Sequence, residues 1–194
     1  MRNVLLVGWL MLPIGAWAYH EGPGLDRQAL DKCDVLLVDA HAAADVGSWQ
    51  EAIAGYEAAL AELPDGNERL SQRIRLELNK ARIQNKGLNE AREDLEVLVE
   101  HLMADEDQDK QLLADARQSL ARAQFFTTWL MRLEGLTREQ WEPEIEAARQ
   151  NWRLLAEQAT TDAEKSQHQK DLEAAIKLER LEIEDLQGLP LPSE

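Results

Sequence analysis

From Leu25 onward the apolar positions recur at steps of three and four. Leu30, Cys33, Leu37, Ala40 and Ala44 make one such face, the spacing of a helix with one side turned inward. It predicts a first helix from about Asp26 to Asp45, stopped by Gly47. Ser48 with Glu51 three residues on forms a capping-box pattern and opens a second helix. Pro64-Asp65-Gly66 is a turn sequence and closes it. A third helix is expected over Arg69 to Asn85 and a fourth over Asn89 to Met103, followed by the acidic stretch Asp105 to Asp109. Leu113, Ala116, Leu120, Ala123, Leu130 and Leu133 stripe a long fifth helix from Lys110 to Glu134. Gly135 ends it, and Thr137 with Gln140 repeats the capping pattern, with Pro143 in the next first turn. That sixth helix runs to about Ala159, and Thr161 with Glu164 begins the last, which ends near Gln187. Long Val/Ile/Thr alternation is absent and strong helix formers dominate, so the class is all-α. The folded domain is placed at 26–187, with a loose tail over 188–194.

The start of the chain follows another pattern. Met1-Arg2-Asn3 is positive, Val4 to Gly15 is an apolar run, and Ala16-Trp17-Ala18 offers small residues at a cleavage site. Residues 1–18 therefore read as a secretory signal cut after Ala18, and 19–25, with Pro23 and Gly24, as a flexible leader. The run is shorter than the roughly 20 residues that span a bilayer, so no membrane insertion is expected after cleavage. The single cysteine, Cys33, stands too far past Ala18 for lipoprotein processing and has no internal disulfide partner. It suits a helix interface.

A chain of 194 residues supports one domain with a real core. Its formal net charge of −16 repels phosphates, which makes nucleic acid an unsuitable partner. The acidity serves solubility, or complements a basic partner surface.

The stretch from Trp49 to Gly66 carries a more specific pattern. Ala52, Tyr56, Ala59 and Pro64 place a small residue, an aromatic four on, a small residue three on and a proline five on. In these residues the chain resembles the second helix of a tetratricopeptide repeat, and Trp49 stands where that family usually has an aromatic. The small residues let paired helices approach, Tyr56 fills the groove between them, and Pro64 sets the next turn. In the preceding helix Leu36 and Ala40 fit, while Asp39 and Ala43 replace the usual Leu and Tyr. Leu78, Ala91, Leu95 and Leu98 echo the pattern, 39 residues after the first unit, against an ideal period of about 34. A third, degenerate unit uses Ala148, Trp152 and Leu155, with a loop around Leu136 to Trp141. The resemblance implies antiparallel helix pairs stacked as a short α-solenoid, its end covered by the C-terminal helix.

Candidate chemistry is sparse. His20, His41, His101 and His168 lack zinc-helix spacing. Asp105, Asp107 and Asp109 begin like a calcium loop, but Lys110 and Ala116 stand where Gly and a bidentate Glu are needed. No nucleophile elbow or phosphate loop occurs, so neither a catalytic residue nor a cofactor is expected. The aromatics of the second half suit a core, except Trp141, which in a loop would be an exposed hot spot. The resemblance implies binding through a concave face. Helical counting places Asp34, Leu37, His41, Arg73, Leu76, Lys80 and Gln84 on it, and Arg73, Lys80 and Gln84 suit an acidic segment. Small exported repeat proteins of this kind resemble those that accompany membrane-anchored partners in bacterial envelope gene clusters. The expected function is thus a periplasmic scaffold for a protein or peptide, among them membrane-anchored envelope proteins. The alternative is a structural helical bundle that self-associates without a separate partner.

Overall fold

The computed structural model describes residues 24–105, 107, 109–182 and 185. The described chain is all-α: α1 (Leu25–Asp45), α2 (Trp49–Glu62), α3 (Glu68–Gln84), α4 (Leu88–Ala104), α5 (Lys110–Leu133), α6 (Arg138–Gln158) and α7 (Asp162–Arg180), with no strand among the described residues. The stretch 1–18 read as a signal and the stretch 188–194 read as a tail lie outside the described residues. Where the sequence pattern draws one domain, the chain divides into two compact units, residues 1–74 and 75–194, the division falling within α3.

In the first unit α1 packs along α2. Cys33 and Ala40 meet a face made by Ala52, Tyr56 and Ala59, all at most 1% exposed. The contact is close because its residues are small. A Cβ built on Gly55 would stand 2.8 Å from the Ala40 Cβ and 3.2 Å from its Cα. The Cys33 thiol donates to the Ala59 carbonyl at 3.5 Å. Burial, then the nearby Asp34 and Glu62 carboxylates, push its pKa up, so it stays an unreactive thiol.

The α1–α2 turn relies on Gly47 at φ +76. Gly47 and Ser48 N–H groups donate to the Ala44 and Ala43 carbonyls, at 2.9 and 2.8 Å, closing the end of α1. This geometry overrides the capping box expected at Ser48. Ser48 has ψ 62 and makes no side-chain cap bond, because that bond needs an extended N-cap residue. Thr161, with ψ 152, does cap its helix, and Glu164 returns the bond.

The second unit has two apolar clusters. Leu76, Leu95, Leu98 and Leu102 pack against Leu113, Ala116 and Leu120 of α5. Ala121 and Phe125, also of α5, pack against Trp141, Ile145, Trp152, Ala175 and Leu178. One long helix thus feeds both cores. Asn79 on α3, fully buried, donates to Asp94 on α4 at 2.7 Å and accepts from Arg82 at 3.3 Å. Arg132 of α5, 7% exposed, donates to the Leu178 and Leu181 carbonyls at the end of α7, which satisfies acceptors that a helix terminus leaves open.

Two predictions follow from this packing. Gly55→Ala gains up to about 1 kcal/mol of helix propensity, yet overpacking against Ala40 costs about 1–3 kcal/mol. Urea unfolding should show net destabilisation. A variant more stable than the parent would mean that α1 and α2 are not held this close. The second concerns Glu144 of α6, 3.3 Å from Arg92. Burial raises its pKa above 4.5, with Glu96 adding to the rise and Arg92 opposing it. A carboxyl raised on folding stabilises the fold below its unfolded pKa, and that contribution is lost as pH rises through the folded value. Glu144→Gln should therefore gain stability relative to the parent between pH 4 and pH 7. Parallel pH profiles for the two proteins would contradict it.

Candidate functional site

The second unit contains an open groove of about 750 Å3. Its walls come from the first turns of α5 and α7, the end of α6 and Met103 of α4. The floor is apolar, with Leu113, Ala114, Leu155 and Ala159. Four charged side chains line it: Lys110, Asp115, Arg117 and Glu164.

These charges are unequally committed. Asp115 accepts from Gln111 at 3.0 Å. Glu164 accepts from the Thr160 hydroxyl and from the Thr160 and Thr161 N–H groups, at 3.0–3.1 Å. Those bonds, the Thr160 hydroxyl's first, hold its carboxyl below the usual range. Arg117 differs. It is 8% exposed, its one hydrogen bond is a long 3.4 Å contact to Gln158, and no carboxylate among the described residues pairs with it. His168, which lines the same groove, has an enclosed Nδ1 without a hydrogen-bond partner among the described residues. A buried cation facing a cleft without its counter-ion favours an incoming anion, because burial weakens solvent screening. A carboxylate meets the guanidinium fork with two parallel hydrogen bonds.

The residues singled out from sequence fall elsewhere. Asp34, His41 and Arg73 lie in the first unit and are exposed. His41 is already engaged: its Nδ1–H donates to the Leu37 carbonyl at 2.6 Å, and its ring meets Tyr56 edge-on at 5.3 Å. Lys80 and Gln84 lie in the second unit, Lys80 donating to Glu77 on its own helix at 2.8 Å. Leu76 is buried in the core and does not face a groove. Of the packing residues, Ala52, Tyr56, Ala59, Leu78, Ala91, Leu95 and Leu98 are buried. Trp49 is half-buried at the start of α2, and the Pro64 carbonyl accepts from Asn67 at 2.9 Å.

Trp141 requires a correction. It is not in a loop. α6 begins at Arg138, and Trp141 lies in its first turn, 7% exposed in the second cluster. Gly135 at φ +77 turns the chain so tightly that no long loop is needed. The Arg132 guanidinium stacks over the indole at 4.9 Å, a cation–π contact in a dry site. Arg117 and His168 were missed. Arg117 follows Ala116 on a face that reads as core, where an arginine registers as an interruption and not as a site.

Trp141→Ala should cost about 3–5 kcal/mol, as for a buried aromatic, measured by chemical unfolding. A loss under about 1 kcal/mol would return Trp141 to the surface.

No protein-family model matches the chain, and neither a characterised protein nor a solved structure is detectably similar to it.

Proposed function

We propose that this chain is an exported helical scaffold of the tetratricopeptide type, which works by binding protein segments in the periplasm and performs no catalysis. Residues 1–18 would direct export, and the partner would be an envelope protein, membrane-anchored partners included. The antiparallel packing of α1 on α2 and the small-residue contact of Ala40 with Gly55 support the repeat assignment. The observation that carries the binding reading is Arg117: a buried guanidinium without a carboxylate among the described residues, on the wall of an open, partly apolar groove. An extended peptide with an apolar side chain for the floor and a carboxylate for Arg117 meets both demands. Arg73, Lys80 and Gln84 are replaced in that role by Arg117.

Photo-crosslinkers placed at Gln118 and His168 test this in the native envelope. One discrete polypeptide should be captured at both positions. Arg117→Gln should reduce capture roughly tenfold, the loss of one charge-assisted hydrogen bond, while Arg117→Lys retains part of it. Equal capture by the parent and Arg117→Gln would remove the groove from the function. The protein should be recovered from the periplasmic fraction with Tyr19 as its first residue, and recovery from the cytoplasm alone with Met1 retained would remove export.

A further inference from the structure

Helix α1 is apolar on two opposite sides. One side, with Cys33 and Ala40, is buried against α2. The other carries Val35, Val38 and Ala42, and Val46 continues it just past the helix end. These side chains stand in the open, Val35 at 61%, Val38 at 68% and Val46 at 78% exposure. Steps of three and four at 3.6 residues per turn place them in one stripe, roughly opposite Cys33 and Ala40. Valine has no advantage there for helix propensity or for solubility.

Four carboxylates border the stripe. By the same helical count Asp34 and Asp45 lie along one edge, Asp39 lies along the other, and Asp31 stands at its N-terminal end. All four are exposed, and none has an ion-pair partner among the described residues. The neighbouring Lys32 is engaged with Glu62 at 2.5 Å. An apolar centre with an unneutralised acidic rim specifies what can cover it. A second copy would set aspartate against aspartate, and like-charge juxtaposition opposes that pairing.

We propose that this face of α1 docks an amphipathic helix of a partner protein, one whose apolar stripe is bordered by Lys or Arg. Apolar anchors at i, i+3 and i+7 match the spacing of Val35, Val38 and Ala42, and the basic borders neutralise the four aspartates. The surface is distinct from the Arg117 groove and of opposite polarity, so each can fail without the other.

The test uses the whole protein and two synthetic helical peptides with the same leucine stripe, one with Lys borders and one with Glu borders, followed by fluorescence anisotropy. The Lys peptide should bind and weaken with added salt, and the Glu peptide should not bind. Val35→Gln with Val38→Gln keeps the charge and should weaken the Lys peptide at least about tenfold. Asp34→Asn with Asp39→Asn should also weaken it, while Arg117→Gln should not. All four α1 positions are exposed, so circular dichroism should show unchanged helix content. Binding that survives the valine changes would be attraction to general acidity and would overturn the proposal. So would a dimer in light scattering that the valine changes dissolve, or a photo-crosslinker at Val38 that reacts with residues 1–23 of its own chain.

Discussion

Helix α5 is buried on more than one side through its central turns, while its last turns leave Leu130 and Leu133 exposed. Its residues enter both apolar clusters of the second unit, Ala116 and Leu120 into one and Ala121 and Phe125 into the other. Small residues make this feasible. Ala116, Ala121 and Ala123 are fully buried and let neighbouring helices close on several sides. The cost is that every polar side chain on α5 must find a partner inside the protein. Gln124 accepts from Asn151 at 3.2 Å, the Thr128 hydroxyl donates to the Gln124 carbonyl at 2.9 Å, and Arg132 closes the end of α7. Thr127 Oγ1 and Trp129 Nε1 are enclosed without a partner among the described residues, and Arg117, held only by its 3.4 Å contact to Gln158, opens onto the groove. The site is therefore a by-product of the constraint that organises the core: a buried helix with one cation that the fold does not neutralise.

The same contrast distinguishes Arg132 from Arg117. Both are arginines of α5 with under a tenth of their surface exposed. Burial pushes the Arg132 pKa down, and helix carbonyls together with the Trp141 face answer the charge. Those partners are fixed, so Arg132 holds α7 in place. Arg117 has only a weak amide contact. A group that is answered within the fold supplies rigidity, and a similar group that is left unanswered is open to a ligand.

The helices were legible in the sequence because a core-facing stripe and its turn residues are local signals. Gly47, Gly135 and the Thr161–Glu164 pair marked real boundaries. What was hidden depended on tertiary context. Ser48 has the residue type of a cap, but the glycine turn before it withdraws the extended backbone a cap needs. Trp141 follows a glycine and a polar run, which reads as a loop until the tightness of the turn is known. Arg117 was illegible as a site because an arginine on a helix is ordinarily solvated. Only packing on several sides of α5 makes it informative, and no single helix pattern contains that fact. The valines of α1 were equally hidden: the stripe that includes Cys33 accounts for the helix, and a second stripe adds nothing to its prediction.

Charge organises the surface by a simple rule, and its exceptions point outward. Several arginines are answered nearby: Arg138 by Glu142 at 2.7 Å, Arg149 by Glu146 and Glu179 at 2.9 and 2.8 Å, and Arg92 by Glu96 and Glu144 at 3.4 and 3.3 Å. The exposed pair Arg138–Glu142 does little for stability, but pairs of this kind neutralise local fields. With 37 acidic and 21 basic side chains, acids must remain unmatched. An unmatched acid is expected anywhere, whereas an unmatched buried cation is not. The excess does not dictate that four unmatched aspartates stand around exposed valines, since solubility would be served as well by acids far from apolar surface. Each unit thus carries one place where charge and apolar surface are left together without an answer. On the proposed scaffold reading, two such places with different preferences keep one partner from occupying both.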